Sequence, residues 1–180
     1  MNLHSKFELA VPVSSADHLI GASHAPVTLV EYGDFECPNC KQAAPAVKLL
    51  LTRFAGRLRV IYRHFPLEEV HPNALRAALA AETAAGQGKF WQMHDVLYEN
   101  QSHLKLHQLR AYAETLELDM TRYDAEMKDE RYLQRVREHI EGGALSGARA
   151  TPTFFINGRL HDVSFGLQHL AEGVEAALKA

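Results

Sequence analysis

The sequence predicts an α/β fold in the order βαβ…ββα: a mixed sheet flanked by helices, with an all-helical block between its two halves. Three observations predict it. Two short runs rich in β-branched residues, 27–32 and 58–63, lie one helix length apart. Residues 73–140 carry helical rather than strand periodicity. Beyond them, the runs 153–156 and 159–161 flank Asn157-Gly158, a dipeptide suited to a two-residue hairpin turn.

The elements follow in order. Residues 1–26 read as irregular, with weak strand character over 7–11, and Pro26 ends this lead-in. Val27-Thr28-Leu29-Val30-Glu31-Tyr32 reads as a buried strand. Gly33 to Glu36 turn the chain into a helix over about 38–55, with Ala43, Val47, Leu50, Leu51 and Phe54 on one face. Pro38 suits a first turn, where its missing N–H is harmless. Pro45 cannot bond the carbonyl of Lys41 and predicts a kink. Gly56 stops the helix, and the second strand then pairs parallel to the first. Helices are expected over 73–85, 90–98, 106–116 and 121–140, punctuated by Gly86, Gly88 and Gly142-Gly143. Leu167, Leu170, Val174 and Leu178 mark a last amphipathic helix.

Composition narrows the function. A length of 180 residues fits one domain with a sizeable insertion. The net charge of −3, with no basic block, argues against a nucleic-acid partner. No apolar run is long enough to span a bilayer, so no membrane partner is expected. Lys6 is the one fixed positive side chain in the first thirteen residues, and no apolar leader core follows it. That reads as a cytoplasmic protein, or else as a periplasmic one whose signal was removed.

Both cysteines of the chain sit in one tetrapeptide, Cys37-Pro38-Asn39-Cys40. Two thiols at that spacing close or reopen a disulfide through a short loop. In a reducing compartment such a pair is catalytic or metal-binding rather than a staple. A zinc site would need two more ligands. There is no second CxxC, and His103 and His107, the one histidine pair at zinc spacing, fall in the helical block.

Three segments resemble a known family. VTLVEYGDFECPNC, HPNALRAALAAETAAGQGKFWQMHDVLYENQ and ATPTFFINGRL, in this order, are similar to the active-site block, the first inserted helices and the cis-proline segment of DsbA-like thiol:disulfide oxidoreductases. The resemblance covers nearly all of 17–179. It implies a thioredoxin-like domain of 1–66 plus 147–180 and a helical insertion of 67–146.

Cys37 should open its helix, where unpaired N–H groups and the positive dipole end favour a thiolate. Cys40, one turn in, is placed to resolve a mixed disulfide. Pro38 and Asn39 tune the couple. The resemblance implies that members with histidine at the Asn39 position are strong oxidants, so a milder one is expected here. Asp34 and Glu36, if close, would oppose the thiolate. Glu31 lies in an apolar strand, where burial would raise its pKa; the resemblance implies a proton shuttle for Cys40.

Thr151-Pro152 on its own reads as trans. The resemblance implies a cis bond there, leaving the Thr151 backbone free to pair with an extended substrate. His71, Trp91 and His94 read as packing and capping residues, and Phe35 as a candidate docking aromatic.

The reading is therefore an enzyme exchanging dithiols and disulfides with protein or peptide thiols, glutathione or a redox partner protein. It needs no cofactor or metal beyond the Cys37–Cys40 disulfide. The alternative is a redox-responsive binding module whose disulfide state controls docking. A monomer is expected, since the resemblance implies that isomerases of this fold carry a dimerisation domain for which the chain has no room.

Overall fold

The computed structural model describes residues 8–180. A five-stranded sheet has the order β1-β3-β2-β4-β5, formed by β1 (His18–Gly21), β2 (Val27–Gly33), β3 (Leu58–His64), β4 (Thr153–Ile156) and β5 (Arg159–His161). The helix α1 (Pro38–Arg53) carries the chain from β2 to β3, which run parallel from Val27 opposite Leu58 to Gly33 opposite His64. β4 joins the other side of β2 antiparallel, with Glu31 opposite Phe154. Between β3 and β4 lie α2 (Ala74–Ala85), α3 (Phe90–Glu99), α4 (Leu106–Thr115), α5 (Met120–Lys128) and α6 (Leu133–Leu145), and α7 (Gln168–Lys179) ends the chain.

The central strands are buried on both faces, which is why they read as continuous apolar runs. Strand alternation sorts their side chains. Val27, Leu29, Val60 and Phe154 pack under α1 and α7 with Ala43, Val47, Leu50, Leu170 and Val174. Val30, Tyr32, Ile61 and Phe155 face the other way, towards Phe65, Ala148 and Ile140. Glu31 therefore points to the α1 side. On that opposite face α6 comes close to the sheet at Gly143, where a Cβ would lie within 2.9 Å of Phe65 and Tyr32. The hairpin turn has positive φ at Asn157 and Gly158. The Asn157 side chain accepts the N–H of Thr28 and so ties the hairpin to β2.

Two features depart from the sequence reading. The lead-in contains β1, a four-residue strand antiparallel to β3. Its sequence, HLIG, has little strand signal. Long-range pairing accounts for its place: Arg63 of β3 donates to both carboxylate oxygens of Asp17 at 2.8 and 2.9 Å, to the carbonyls of Val11 and Pro12, and to the Tyr32 hydroxyl. The strand character noted over 7–11 falls partly outside the described residues; within them, Glu8 forms an isolated bridge to Arg159. The helix expected over 121–140 is two helices. They are separated at Asp129–Tyr132, where Glu130 adopts a φ of 48°.

The helical layer is built on α2, whose alanines let α3, α4, α5 and α6 approach it. Glu82, in the middle of α2, is buried against the sheet. His18 Nε2 and His64 Nε2 lie 2.7 and 2.8 Å from its Oε1, and Arg135 Nε is 2.9 Å from Oε2. Burial alone would raise this carboxyl, but the hydrogen bonds from His18 and His64 outweigh it and hold the group well below the usual carboxylate range.

Replacing Arg63 with alanine strands the Asp17 carboxylate, whose side chain is 5 % exposed. Urea unfolding of Arg63→Ala is expected to show a loss of ~3–5 kcal/mol, the usual result of removing one partner of a buried pair. A loss below ~1 kcal/mol would mean that the pair does not anchor the N-terminal segment.

Candidate active site

Cys37 is the N-cap residue of α1, with extended backbone (φ −76°, ψ 123°), and Pro38 follows in the first turn. The cap position turns the free N–H groups at the helix start towards its sulfur. Cys37 is 6 % exposed and Cys40 fully buried, and both are free thiols. The two differ sharply in acidity. A hydrogen bond from the Cys40 thiol lowers the Cys37 pKa most, and the Thr151 hydroxyl and the N–H groups of Cys40 and Asn39 assist against burial, bringing it to about 5. Burial, the hydrogen bond to Cys37, and the charges of Glu31 and Cys37 push Cys40 well above an ordinary thiol.

Glu31 is 3 % exposed, and its Oε1 has no hydrogen-bond partner among the described residues. Burial pushes its pKa up to about 8. A cavity of about 40 Å³ adjoins it, lined by Ala44 and Lys48 of α1 and by Trp91, His94 and Asp95 of α3.

The Thr151–Pro152 peptide is cis. The Cys37 thiol donates to the Thr151 carbonyl at 3.3 Å, which brings this loop against the redox pair across the fold. The Thr151 hydroxyl is buried, and among the described residues it has no partner besides Cys37. Pro38 and Asn39 are exposed beside Cys37.

Several neighbours carried no motif in the sequence. Asp34 donates its N–H to Cys40 Sγ at 3.5 Å and accepts the N–H of Cys37 on its carbonyl at 3.1 Å. Gln101, between α3 and α4, donates to the carbonyls of Phe35 and Cys37 at 2.9 and 2.8 Å. Tyr62 and Tyr98 share a buried hydrogen bond of 2.9 Å beside the pair, and burial raises both phenols well above the ordinary value. These contacts join segments distant in sequence. The turn carrying Asp34, the strand carrying Tyr62 and the helix carrying Tyr98 were legible, but not the contacts between them.

Three expectations change. Asp34 and Glu36 are not among the main influences on the Cys37 thiolate: the Asp34 carboxylate takes the N–H groups of Glu36 and Leu67 and the His71 ring, and that of Glu36 takes the backbone and side-chain N–H of Asn73. Phe35 is no docking aromatic. It is 1 % exposed, stacked on Tyr62 and edged by His94. His71 does more than pack, since it holds the active-site turn through Asp34.

His103 and His107 are exposed and form no ligand group with the cysteines among the described residues. Among the described residues, one group has ligand atoms close enough to hold a metal: His18, His64 and Glu82, without a cysteine. Both imidazoles are already hydrogen-bonded to Glu82, which is also ion-paired with Arg135.

A family model described as Thioredoxin matches residues 14–176. The chain belongs to the thioredoxin family. Among solved structures, this thioredoxin-family chain is similar to oxidised BdbD from Bacillus subtilis, with a TM-score of 0.86 and 22% identity over 97% of this chain and 100% of that one. It is also similar to the thiol-disulfide exchange protein α-DsbA2 from Wolbachia pipientis, with a TM-score of 0.76 and 18% identity over 90% of this chain and 87% of that one. The fold is thus that of DsbA-like thiol:disulfide oxidoreductases.

In sequence the chain is 48% identical, over 94% of its length, to part of the Na(+)/H(+) antiporter NhaA 1 of Salinispora arenicola. It spans about a quarter (26%) of that protein's length. The expectation of a cytoplasmic protein is overturned. A periplasmic thioredoxin-like protein from Salmonella enterica serovar Typhimurium shares the fold, with a TM-score of 0.75 and 22% identity over 92% of this chain and 91% of that one. The sequence relative, moreover, is a segment of a protein named as an ion antiporter. The cytoplasmic reading had rested on the first residues of the chain, which carry no such information when the matched relatives are longer.

Two titrations follow. In the reduced protein, thiolate absorbance near 240 nm is expected to rise around pH 5 and to be missing from Cys37→Ser; a first rise near pH 8.5 would refute the cap's effect on Cys37. Glu31 has a raised pKa, so between about 4.5 and 8 the folded protein holds a proton that the unfolded chain has released. Stability then falls as pH rises through that window. The Glu31→Gln variant is expected to gain on the parent across it, by ~3 kcal/mol at pH 7, with no further gain above pH 8. Parallel pH profiles of the two proteins would show that Glu31 is not buried as described.

Proposed function

We propose that the chain is a thiol:disulfide oxidoreductase in which Cys37 exchanges disulfides with protein or peptide partners and Cys40 resolves the mixed disulfide. One observation carries this reading: two free thiols lie one helical turn apart, Cys37 at the helix N-cap against the cis Thr151–Pro152 loop and Cys40 fully buried behind it. In the reduced protein the Cys37 thiolate attacks a substrate disulfide, forming Cys37–S–S–R and releasing the other half as a thiolate. Cys40 then gives its proton to the ionised fraction of Glu31, the minor form below pH 8, attacks Cys37 Sγ and closes the Cys37–Cys40 disulfide, expelling the second thiolate. Two electrons pass from the protein to the substrate. Oxidation of substrate dithiols is the same path reversed. No prosthetic group takes part, because the two sulfurs are the redox centre.

Thr151 and Pro152 line the site where an extended substrate would lie. On substrate binding the Thr151 carbonyl, 3.3 Å from Cys37 Sγ, accepts a backbone N–H of the partner. Pro38 starts the helix, and Asn39 contributes its N–H to Cys37. Glutathione and a redox partner protein are candidate thiol donors.

A second reading is favoured by the sequence relative. A domain matching a quarter of a protein named as an ion antiporter can serve as a redox-responsive module, its disulfide state controlling docking on the remainder of such a chain.

Kinetics separate the two. With a cystine peptide, Cys37→Ser is expected to lose turnover and Cys40→Ser to accumulate a mixed disulfide; full turnover in Cys37→Ser would exclude the enzyme. The couple is expected to titrate against glutathione between about −270 and −120 mV, the values of thioredoxin and of DsbA. Slow, non-catalytic exchange in the unmodified chain would favour the module.

A further inference from the structure

Asp34 is 1 % exposed and makes more contacts around the redox pair than its place in a four-residue turn requires. Its Oδ1 accepts the N–H of Glu36 at 2.7 Å, an ordinary Asx-type turn contact. Its Oδ2 reaches outside the turn, to the N–H of Leu67 at 2.9 Å and to His71 Nδ1 at 2.7 Å. The backbone of the same residue meets both sulfur-bearing residues: its N–H points at Cys40 Sγ, and its carbonyl accepts the N–H of Cys37 and the hydroxyl of Tyr98. The carboxylate is thus clamped by the loop after β3, while the peptide groups on either side of it hold the cysteines.

We infer that Asp34 is a positioning residue for the resolving step, with His71 as its anchor: the clamped carboxylate holds the Asp34 N–H on Cys40 Sγ as that sulfur becomes the attacking thiolate. The inference rests on the exchange chemistry proposed above. In that step negative charge must form on a fully buried sulfur, against the burial that leads the rise in its pKa. Among the principal influences on Cys40, the Asp34 N–H is the one that favours the anion. The charged or titratable groups near Asp34 are Glu36, Cys37 and Cys40 on its own segment and α1, His71 on the loop after β3, Tyr62 on β3 and Tyr98 on α3. None besides Asp34 directs an N–H to Cys40.

A merely structural Asp34 would stabilise the turn and leave the balance between attack and resolution alone. Single-turnover kinetics with a cystine peptide separate the two steps. In Asp34→Ala, the lifetime of the Cys37-linked mixed disulfide is expected to lengthen about tenfold, on the scale of one hydrogen bond, while its rate of formation changes less than about threefold. Asp34→Asn, whose single amide oxygen keeps the acceptor for either the Leu67 or the Glu36 N–H but not both, is expected to recover only part of the resolution rate. His71→Ala, on a part-exposed loop residue, should move resolution the same way by a smaller factor and add little in the double variant.

If Asp34→Ala does not fold, the His71→Ala ratio decides alone. Resolution unchanged in the variants that fold, or both steps slowed alike with a lower Tm, overturns the inference. Absence of any mixed disulfide in Cys40→Ser would instead sink the exchange chemistry itself.

Discussion

The site depends on one constraint: a single negative charge is welcome at the start of α1 and unwelcome one turn further in. The cap position of Cys37 supplies backbone N–H groups, and the protein interior around Cys40 supplies almost none. The two thiols therefore divide a proton unequally. The Cys40 thiol keeps its proton and donates a hydrogen bond to the Cys37 thiolate, so each sulfur's state supports the other's. An isolated CxxC loop in water has no such asymmetry, because both thiols would be solvated alike. The sheet creates it by ending β2 just before the turn, with α1 running back across its buried face.

The helices between β3 and β4 take part in this arrangement. Gln101 fixes the carbonyls of Phe35 and Cys37, Tyr98 reaches the carbonyl of Asp34, and Asn73, just before α2, holds Glu36. The loop after β3 adds the Leu67 N–H and His71. The segment from Asp34 to Cys37 is thereby gripped from outside the sheet at nearly every residue. Its own four residues could not do this, since a turn alone leaves carbonyls and carboxylates to water. Glu82 supplies the matching grip lower down, joining α2 to β1 and β3 through two imidazoles.

What the sequence disclosed follows from the range of each interaction. β2, α1, β3 and the hairpin were legible because their signals are local: β-branched runs, a proline at a helix start and Asn157-Gly158. Cys37 and Cys40 were legible because sulfur is scarce in this chain. The burial of Glu31 could be read from the apolar strand around it. β1 was not legible, because HLIG becomes a strand through Arg63 and Asp17, far apart in sequence. The break at Glu130 was missed because no glycine or proline marks it; a glutamate takes the positive φ instead. Asp34, Gln101 and His71 were invisible as site residues, or misread as repulsive or structural, because their roles lie in which backbone groups they reach.

The same contacts bear on how the couple is poised. Asn39 is exposed, and its influence on Cys37 passes through its backbone N–H, which any residue but proline would supply. The lowered pKa of Cys37 therefore rests on the cap, on Cys40 and on Thr151 rather than on the asparagine side chain. A cationic side chain at this position would add a charge to an array that already stabilises the anion, and would make the disulfide a stronger oxidant. Asparagine leaves that increment out. The thiolate then draws most of its stabilisation from Cys40 and from backbone groups set by the fold, and the potential becomes sensitive to whatever moves the start of α1. The groups that hold that start belong to the helical layer and to the Asp34 turn, so the poise of the sulfurs and the packing of the helices are one property of the molecule.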